Sequence, residues 1–235
     1  MPARPNPRLL ASVLFVLLVA GAVPRTVHAA WPHDPNVNVP LCTAAGDQLV
    51  PSIVSDGAGG AIVTWYDLRG GADEDVYAQH VLASGAVDPA WPVNGLVLCT
   101  APYNQRYPRI VADGTGGAIV TWMDFRNGAD WDIYAQHVLS SGSVDLAWPV
   151  NGRAVCTAAH DQTRPTIVSD GAGGAIVTWP DFRSNVSWDI YAQHVLASGS
   201  VDPIWPANQV PVCTATSEQS WPDIVSDGAG GAIIT

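Results

Sequence analysis

The sequence predicts an all-β fold, a β-propeller of four-stranded antiparallel blades with a 57-residue repeat, forming an incomplete ring. Three observations predict it. Cys42, Cys99, Cys156 and Cys213 recur at intervals of 57 residues, as do Asp56, Asp113, Asp170 and Asp227, with no insertion between copies. One supersecondary unit has therefore been copied in tandem. Within a copy the chain reads as four short extended segments, and nowhere does an apolar pattern of period 3.6 last ten residues. The strands are apolar on both sides, with Ile119 beside Val120 and Val138 beside Leu139, as expected of a sheet covered on two faces by neighbouring blades. A β-helix is the competing architecture, but its coils are usually much shorter.

The copy from Pro108 to Thr157 justifies each element in order. Arg109 to Ala112 is a short apolar run that meets Asp113-Gly114-Thr115-Gly116-Gly117, a turn rich in the residue that tolerates positive φ. Ala118 to Trp122 follows at once, rich in β-branched and aromatic residues, so the two segments read as a hairpin. After Asp124 to Asp132 comes a third strand, Ile133 to Leu139, which stops at Ser141-Gly142. A fourth extended segment is expected from Trp148 through Val155 to Cys156. The resulting division is an N-terminal closing strand over 30–49, blades over 50–106, 107–163 and 164–220, and the start of a fourth blade over 221–235. Trp31-Pro32 and Val39-Pro40-Leu41-Cys42 match Trp205-Pro206 and Val210-Pro211-Val212-Cys213, which supports reading the first segment as a fourth strand. The last copy stops inside its second strand at Thr235, so the chain is expected to be a fragment of a longer protein.

Residues 1–29 read as an export signal. Arg4 and Arg8 form a basic start, Leu9 to Val23 an apolar run, and Val27-His28-Ala29 a small-residue cleavage pattern. The alternative is an uncleaved anchor, although the run is shorter than a span requires. A secreted, extracellular or cell-surface location is expected, with the periplasm as a further option, and no stable membrane insertion once the signal is removed. All ten basic residues are Arg, and the formal net charge is −11. This balance opposes nucleic acid as a partner, because affinity for phosphates comes from basic groups displacing counterions.

Export invites a disulfide reading of the four cysteines. The repeat argues against it, since equivalent places in successive copies lie farther apart than the about 4.4–6.8 Å between Cα atoms that a bridge allows. Four small buried hydrophobes are expected instead, and a four-Cys metal site fails for the same reason. Asp73-Glu74-Asp75 could suggest calcium, but the run is not matched at Ser187 and has no ordered ligand spacing. No metal and no cofactor are assigned.

Side chains present in every copy are assigned to the blade. Asp67, Asp124 and Asp181 stand two residues before Arg69, Arg126 and Arg183, and are expected to pair across the second connection or between blades, an interaction worth about 0.2–1 kcal/mol when exposed. His80, His137 and His194 sit mid-strand in separate blades and are expected to be packed, not metal-binding. Gln48, Gln105, Gln162 and Gln219 are expected to satisfy loop backbone. Variation is more informative and is one-sided: the loops entering the first strand and those between the second and third strands differ from copy to copy, and both emerge on one face. That face carries Tyr103, Arg106, Tyr107, Trp131, His160, Arg164, Trp188 and Trp221, which suit stacking on a carbohydrate or gripping an exposed peptide.

Pro165 to Gly171, Ala175 to Trp179, Asp181-Phe182-Arg183 and Asp189-Ile190-Tyr191 resemble blades of sialidase-like propellers with bacterial neuraminidase repeats. Ser198 to Trp205 is similar to a degenerate Asp-box, the turn between third and fourth strands of those blades, with the order of Asp and Gly changed. The chain also resembles repeat arrays of uncharacterised secreted bacterial proteins. A sialidase likeness implies three Arg holding a carboxylate, a Tyr activated by Glu and an Asp acid. The only glutamates are Glu74 and Glu218, and the Arg residues recur by blade symmetry, so no catalytic residue is assigned. The expectation is a non-catalytic propeller acting as a binding or cell-surface interaction module, with a sialidase-like glycoside hydrolase and a purely structural array as alternatives.

Overall fold

A computed structural model describes residues 36–207 and 209–235. The export signal and the Trp31-Pro32 match lie outside the described residues. Among the described residues there are fourteen strands and no helix. The first sheet runs β1 (Gln48–Ser55), β2 (Ala61–Asp67), β3 (Asp75–Val81) and β4 (Leu96–Cys99). The second runs β5 (Gln105–Ala112), β6 (Ala118–Asp124), β7 (Asp132–Val138) and β8 (Arg153–Cys156). The third runs β9 (Thr166–Ser169), β10 (Ala175–Asp181), β11 (Asp189–Val195) and β12 (Val210–Cys213), and β13 (Ile224–Ser226) with β14 (Ala232–Ile234) starts the next. Each sheet is antiparallel in chain order. The first strands lie side by side, β1 by β5, β5 by β9 and β9 by β13, so they form the axial ring of a β-propeller.

The core sits between blades. Val76, Leu98 and Cys99 of one blade pack with Ile110, Val120 and Trp122 of the next, and all seven residues of β2, β6 and β10 are buried. This two-sided cover is why those strands do not alternate apolar and polar residues. Trp91 and Trp148 add a second tie: their indole N–H groups donate to Ser140 O at 3.3 Å and Ala197 O at 3.2 Å in the following blade. A Cβ on Gly142 would lie 2.8 Å from Trp91 Cδ1, which explains the glycine there.

One face of the ring is stapled by repeated residues. In the first hairpin turn Asp113 Oδ1 accepts from Thr115 N at 2.6 Å and Gly117 N at 2.9 Å. His137 then bridges two turns, facing Asp113 Oδ2 and Asp145 Oδ2 at 2.9 Å each, and His80 and His194 do the same in their blades. These histidines, expected as packed side chains, are therefore polar staples between two carboxylates.

Other details differ from the sequence reading. The fourth strand starts at Arg153, not near Trp148, because Asn151 (φ 62°) and Gly152 (φ 96°) turn the chain just before it. Residues 36–47 carry no strand, although Cys42 makes the same contacts with Asp67 and Arg69 that Cys99 makes with Asp124 and Arg126. All four cysteines are free, with Cys99 and Cys156 buried but Cys213 exposed at the outer edge of the third blade. No helix among the described residues is long and apolar enough to cross a membrane.

Candidate functional site

The opposite face gathers both sets of variable loops. Backbone bonds join them across each blade boundary: Gln105 N donates to Glu74 O at 2.7 Å, Gln162 N to Trp131 O at 2.7 Å and Gln219 N to Trp188 O at 2.8 Å. The glutamine side chains hold the loops from within, with Gln105 Nε2 donating to the carbonyls of Ala101, Pro102 and Tyr103 at 3.0–3.3 Å. Gln48 and Gln162 make bonds of the same kind.

Beneath the loops lies a repeated polar anchor. Asp124 is wholly buried and accepts from Trp122 Nε1 at 2.8 Å, Arg126 N at 2.9 Å, Arg126 Nε at 2.9 Å and Arg126 Nη2 at 2.6 Å. Arg126 stacks 3.6 Å from the Tyr134 ring centroid and reaches Asn151 O at 2.7 Å. The expected pair forms, with its carboxylate buried, because Trp122 and Asp124 share a strand face and the indole N–H needs an acceptor. Next to it, burial first and then Asp130 and Asp124 push the Asp132 carboxyl up to about 7, and Asp75 is pushed up to about 6 by burial and Asp73.

Two of the axial strands carry an irregularity before they settle into register. In β1 the pairing shifts between Leu49 and Ser52, and in β5 between Arg106 and Arg109. Val50 (φ 50°), Tyr107 (φ 52°), Arg164 (φ 47°) and Trp221 (φ 59°) stand at this position, each left-handed and each followed by proline. A residue before proline normally reads as extended, and a bulky left-handed residue costs about 1–3 kcal/mol. This left-handed position brings four different side chains to one cavity at the mouth of the ring. Prolines at 51, 108, 165 and 222 preceded by a changing residue were the available sequence signal.

Four of the eight expected residues come together here. Tyr107, Arg164, Trp188 and Trp221 line a cavity of about 370 Å³ with Met123, Thr163, Pro180, Glu218 and Ser220. A second cavity of about 490 Å³ shares Tyr107, Arg164 and Trp221 and adds Val50, Arg109, Thr166 and Asp223. The Arg164 guanidinium lies 4.3 Å from the Trp221 ring centroid and 5.6 Å from that of Tyr107. Arg106 and Trp131 sit one boundary earlier, where Arg106 Nε donates to Glu74 Oε2 and the guanidinium is 5.8 Å from the Trp131 ring. Trp131 leans on Phe125 at 5.0 Å, as Trp188 leans on Phe182 at 5.1 Å. Tyr103 and His160 stay on the rim, edge-on to Phe125 at 6.3 Å and Phe182 at 6.4 Å. Sequence reasoning passed over Glu218, Arg109 and Asp223 as site residues.

No family model matches the chain, and no curated protein matches it. Solved structures do. The α-L-arabinanase of Penicillium chrysogenum complexed with arabinobiose is 14% identical with a TM-score of 0.52, over 79% of this chain and 56% of that one. The endo-arabinase of Bacteroides thetaiotaomicron is 15% identical with a TM-score of 0.49, over 80% and 70%. The α-L-arabinofuranosidase of Fusarium graminearum with an iminosugar inhibitor is 11% identical with a TM-score of 0.49, over 80% and 55%. The chain thus spans little more than half the length of two of these proteins. The likeness to the Penicillium arabinanase shows the fold, a β-propeller also used by glycoside hydrolases.

The expectation of a non-catalytic interaction module, more likely no enzyme than an enzyme, is corrected as the leading reading by the Penicillium neighbour, an arabinanase built on the same fold. That expectation rests on there being two glutamates and on arginines that recur by blade symmetry, which leave no catalytic constellation to assign. Repetition fixes the scaffold only, because the bulge and loop positions differ in every copy and converge on one mouth. The Penicillium neighbour is an arabinanase, whereas the blade motifs resemble those of sialidases.

Proposed function

We propose that the chain belongs to a glycoside hydrolase that takes an arabinose-containing oligosaccharide into the axial mouth. The observation that carries this reading is the cavity where Tyr107, Trp188 and Trp221 supply ring faces beside Glu218. Sugar C–H faces stack on such rings while hydroxyls need polar groups in the same cleft. Glycoside hydrolysis employs two carboxyl groups, and the mouth supplies Glu218 in one cavity and Asp223 in the adjoining one, on either side of Trp221. An arabinose glycoside is favoured by the likeness to an arabinanase complexed with arabinobiose. Against a sialidase, Arg69, Arg126 and Arg183 are each bound to the Asp of their own blade and do not converge on one substrate carboxylate. The export signal read at residues 1–29 belongs to the same proposal and assigns the activity to a site outside the cytoplasm.

The test is release of reducing sugar from arabinan and arabinobiose by the full chain. Turnover is expected, with Glu218→Gln and Asp223→Asn each lowering kcat by about 10²–10⁴ at unchanged far-UV circular dichroism. Absence of turnover on arabinose glycosides, or turnover that both variants leave intact, overturns the reading.

A further inference from the structure

We infer that the axial mouth takes a glycan bearing a carboxylate, a uronate-containing chain, with Arg164 and Arg109 receiving the acid group; this rests on the reading of the mouth as a sugar site. The argument comes from where arginines find partners in a chain of net charge −11. Arg69, Arg126 and Arg183 are held by Asp67, Asp124 and Asp181, and Arg106 by Glu74. Arg153, on an outer strand, donates to Gly199 O at 2.5 Å. Arg109 and Arg164 pair with no carboxylate among the described residues, and both line the cavity at the mouth. Arg109 donates through Nη1 only to Pro108 O at 3.2 Å, and Arg164 makes only ring contacts.

With acids so abundant, two unpaired guanidinium groups in one cavity are not a consequence of composition. Arg164 is held in place: its backbone is left-handed before a proline, and Trp221 covers one face of its guanidinium. A stacked guanidinium keeps its N–H edge free for a bidentate acceptor. The local carboxylates do not fill that role, since neither Glu218 nor Asp223 forms an ion pair with Arg109 or Arg164. An acidic sugar entering between Glu218 and Asp223 would be repelled by both, and the two cations offset that repulsion. A neutral pentose would offer them hydroxyl acceptors but no compensating charge.

The test compares binding of digalacturonate and arabinobiose by calorimetry to the full chain, to Arg164→Gln, to Arg109→Gln and to Arg153→Gln. Digalacturonate is expected to bind about tenfold tighter than arabinobiose at low ionic strength, as two charge-assisted bonds predict. The preference should shrink in high salt, since the cavity is open to solvent. Arg164→Gln and Arg109→Gln should each weaken digalacturonate about tenfold more than arabinobiose, with Arg153→Gln unchanged for both. Arginine variants that lower both sugars equally, or arabinobiose bound at least as tightly as digalacturonate, would sink the inference and leave the hydrolase reading in place. Failure of both sugars to bind would remove the sugar site itself and the inference with it.

Discussion

Asp124→Ala is the perturbation that best tests the account of the blade. The variant removes the acceptor of the Trp122 indole N–H and of three Arg126 donors, all at 2.6–2.9 Å. Breaking a buried ion pair from one side costs about 3–5 kcal/mol, because the remaining charge is left uncompensated. Arg126 retains 20% side-chain exposure and can recover some hydration, so the lower end applies, about 3 kcal/mol. For a chain of this size that amounts to a Tm lower by about 6–12 °C. Urea unfolding followed by tryptophan fluorescence measures it, with exposed Asp73→Ala as a control expected to stay within about 0.5 kcal/mol. Asp124→Ala combined with Arg126→Met should regain part of the loss, since no buried charge is then stranded. If Asp124→Ala lies within about 1 kcal/mol of the parent, the anchor is an ordinary surface pair and the burial argument is wrong.

Asp132 and Asp75 set an upper pH limit on stability: their folded pKa values, about 7 and about 6, lie above the unfolded value, so their contribution is complete below about pH 4 and is lost as pH rises through 6 and 7. The Asp132→Asn variant should therefore flatten the decline in Tm between pH 5 and 8, and an unchanged slope would count against the assignment. Asp113 and Asp170 act in the opposite sense: with burial opposing ionisation but the facing histidine and turn amides outweighing it, their pKa values fall, so their contribution is present above about pH 4 and lost on further acidification. Thiol alkylation of the native chain at pH 8 should modify exposed Cys213 first and spare Cys99 and Cys156, whose thiols burial pushes up to about 12; uniform labelling would contradict the inter-blade core.

The strands, the blade repeat and the shared face of the variable loops were legible because they follow from period and chain direction. Ala118 to Trp122 has nowhere to alternate, and it proves buried throughout. The burial of Asp124 was not read, because carboxylates are usually solvated; the cue was a tryptophan two residues earlier on the same strand face, with an N–H that must be satisfied. The histidine staples depend on residues 24 and 8 positions away, and local pattern does not pair them. The left-handed positions before the prolines were not read for a physical reason, since Tyr107, Arg164 and Trp221 adopt the backbone that sequence rules reserve for glycine.

That failure bears on where function is sought in copied folds. Residues repeated in every blade satisfy one another: Asp124 with Trp122 and Arg126, and His137 with Asp113 and Asp145. Their chemistry is spent largely inside the blade. The register position of Val50, Tyr107, Arg164 and Trp221 combines a fixed, strained backbone with a side chain that changes at every copy. A strained conformation retained under four different side chains serves their placement and not their packing, because no common contact among a valine, a tyrosine, an arginine and a tryptophan would repay it. The bulge is therefore the device by which a uniform ring acquires a non-uniform mouth, and a ligand there meets a different group at each blade.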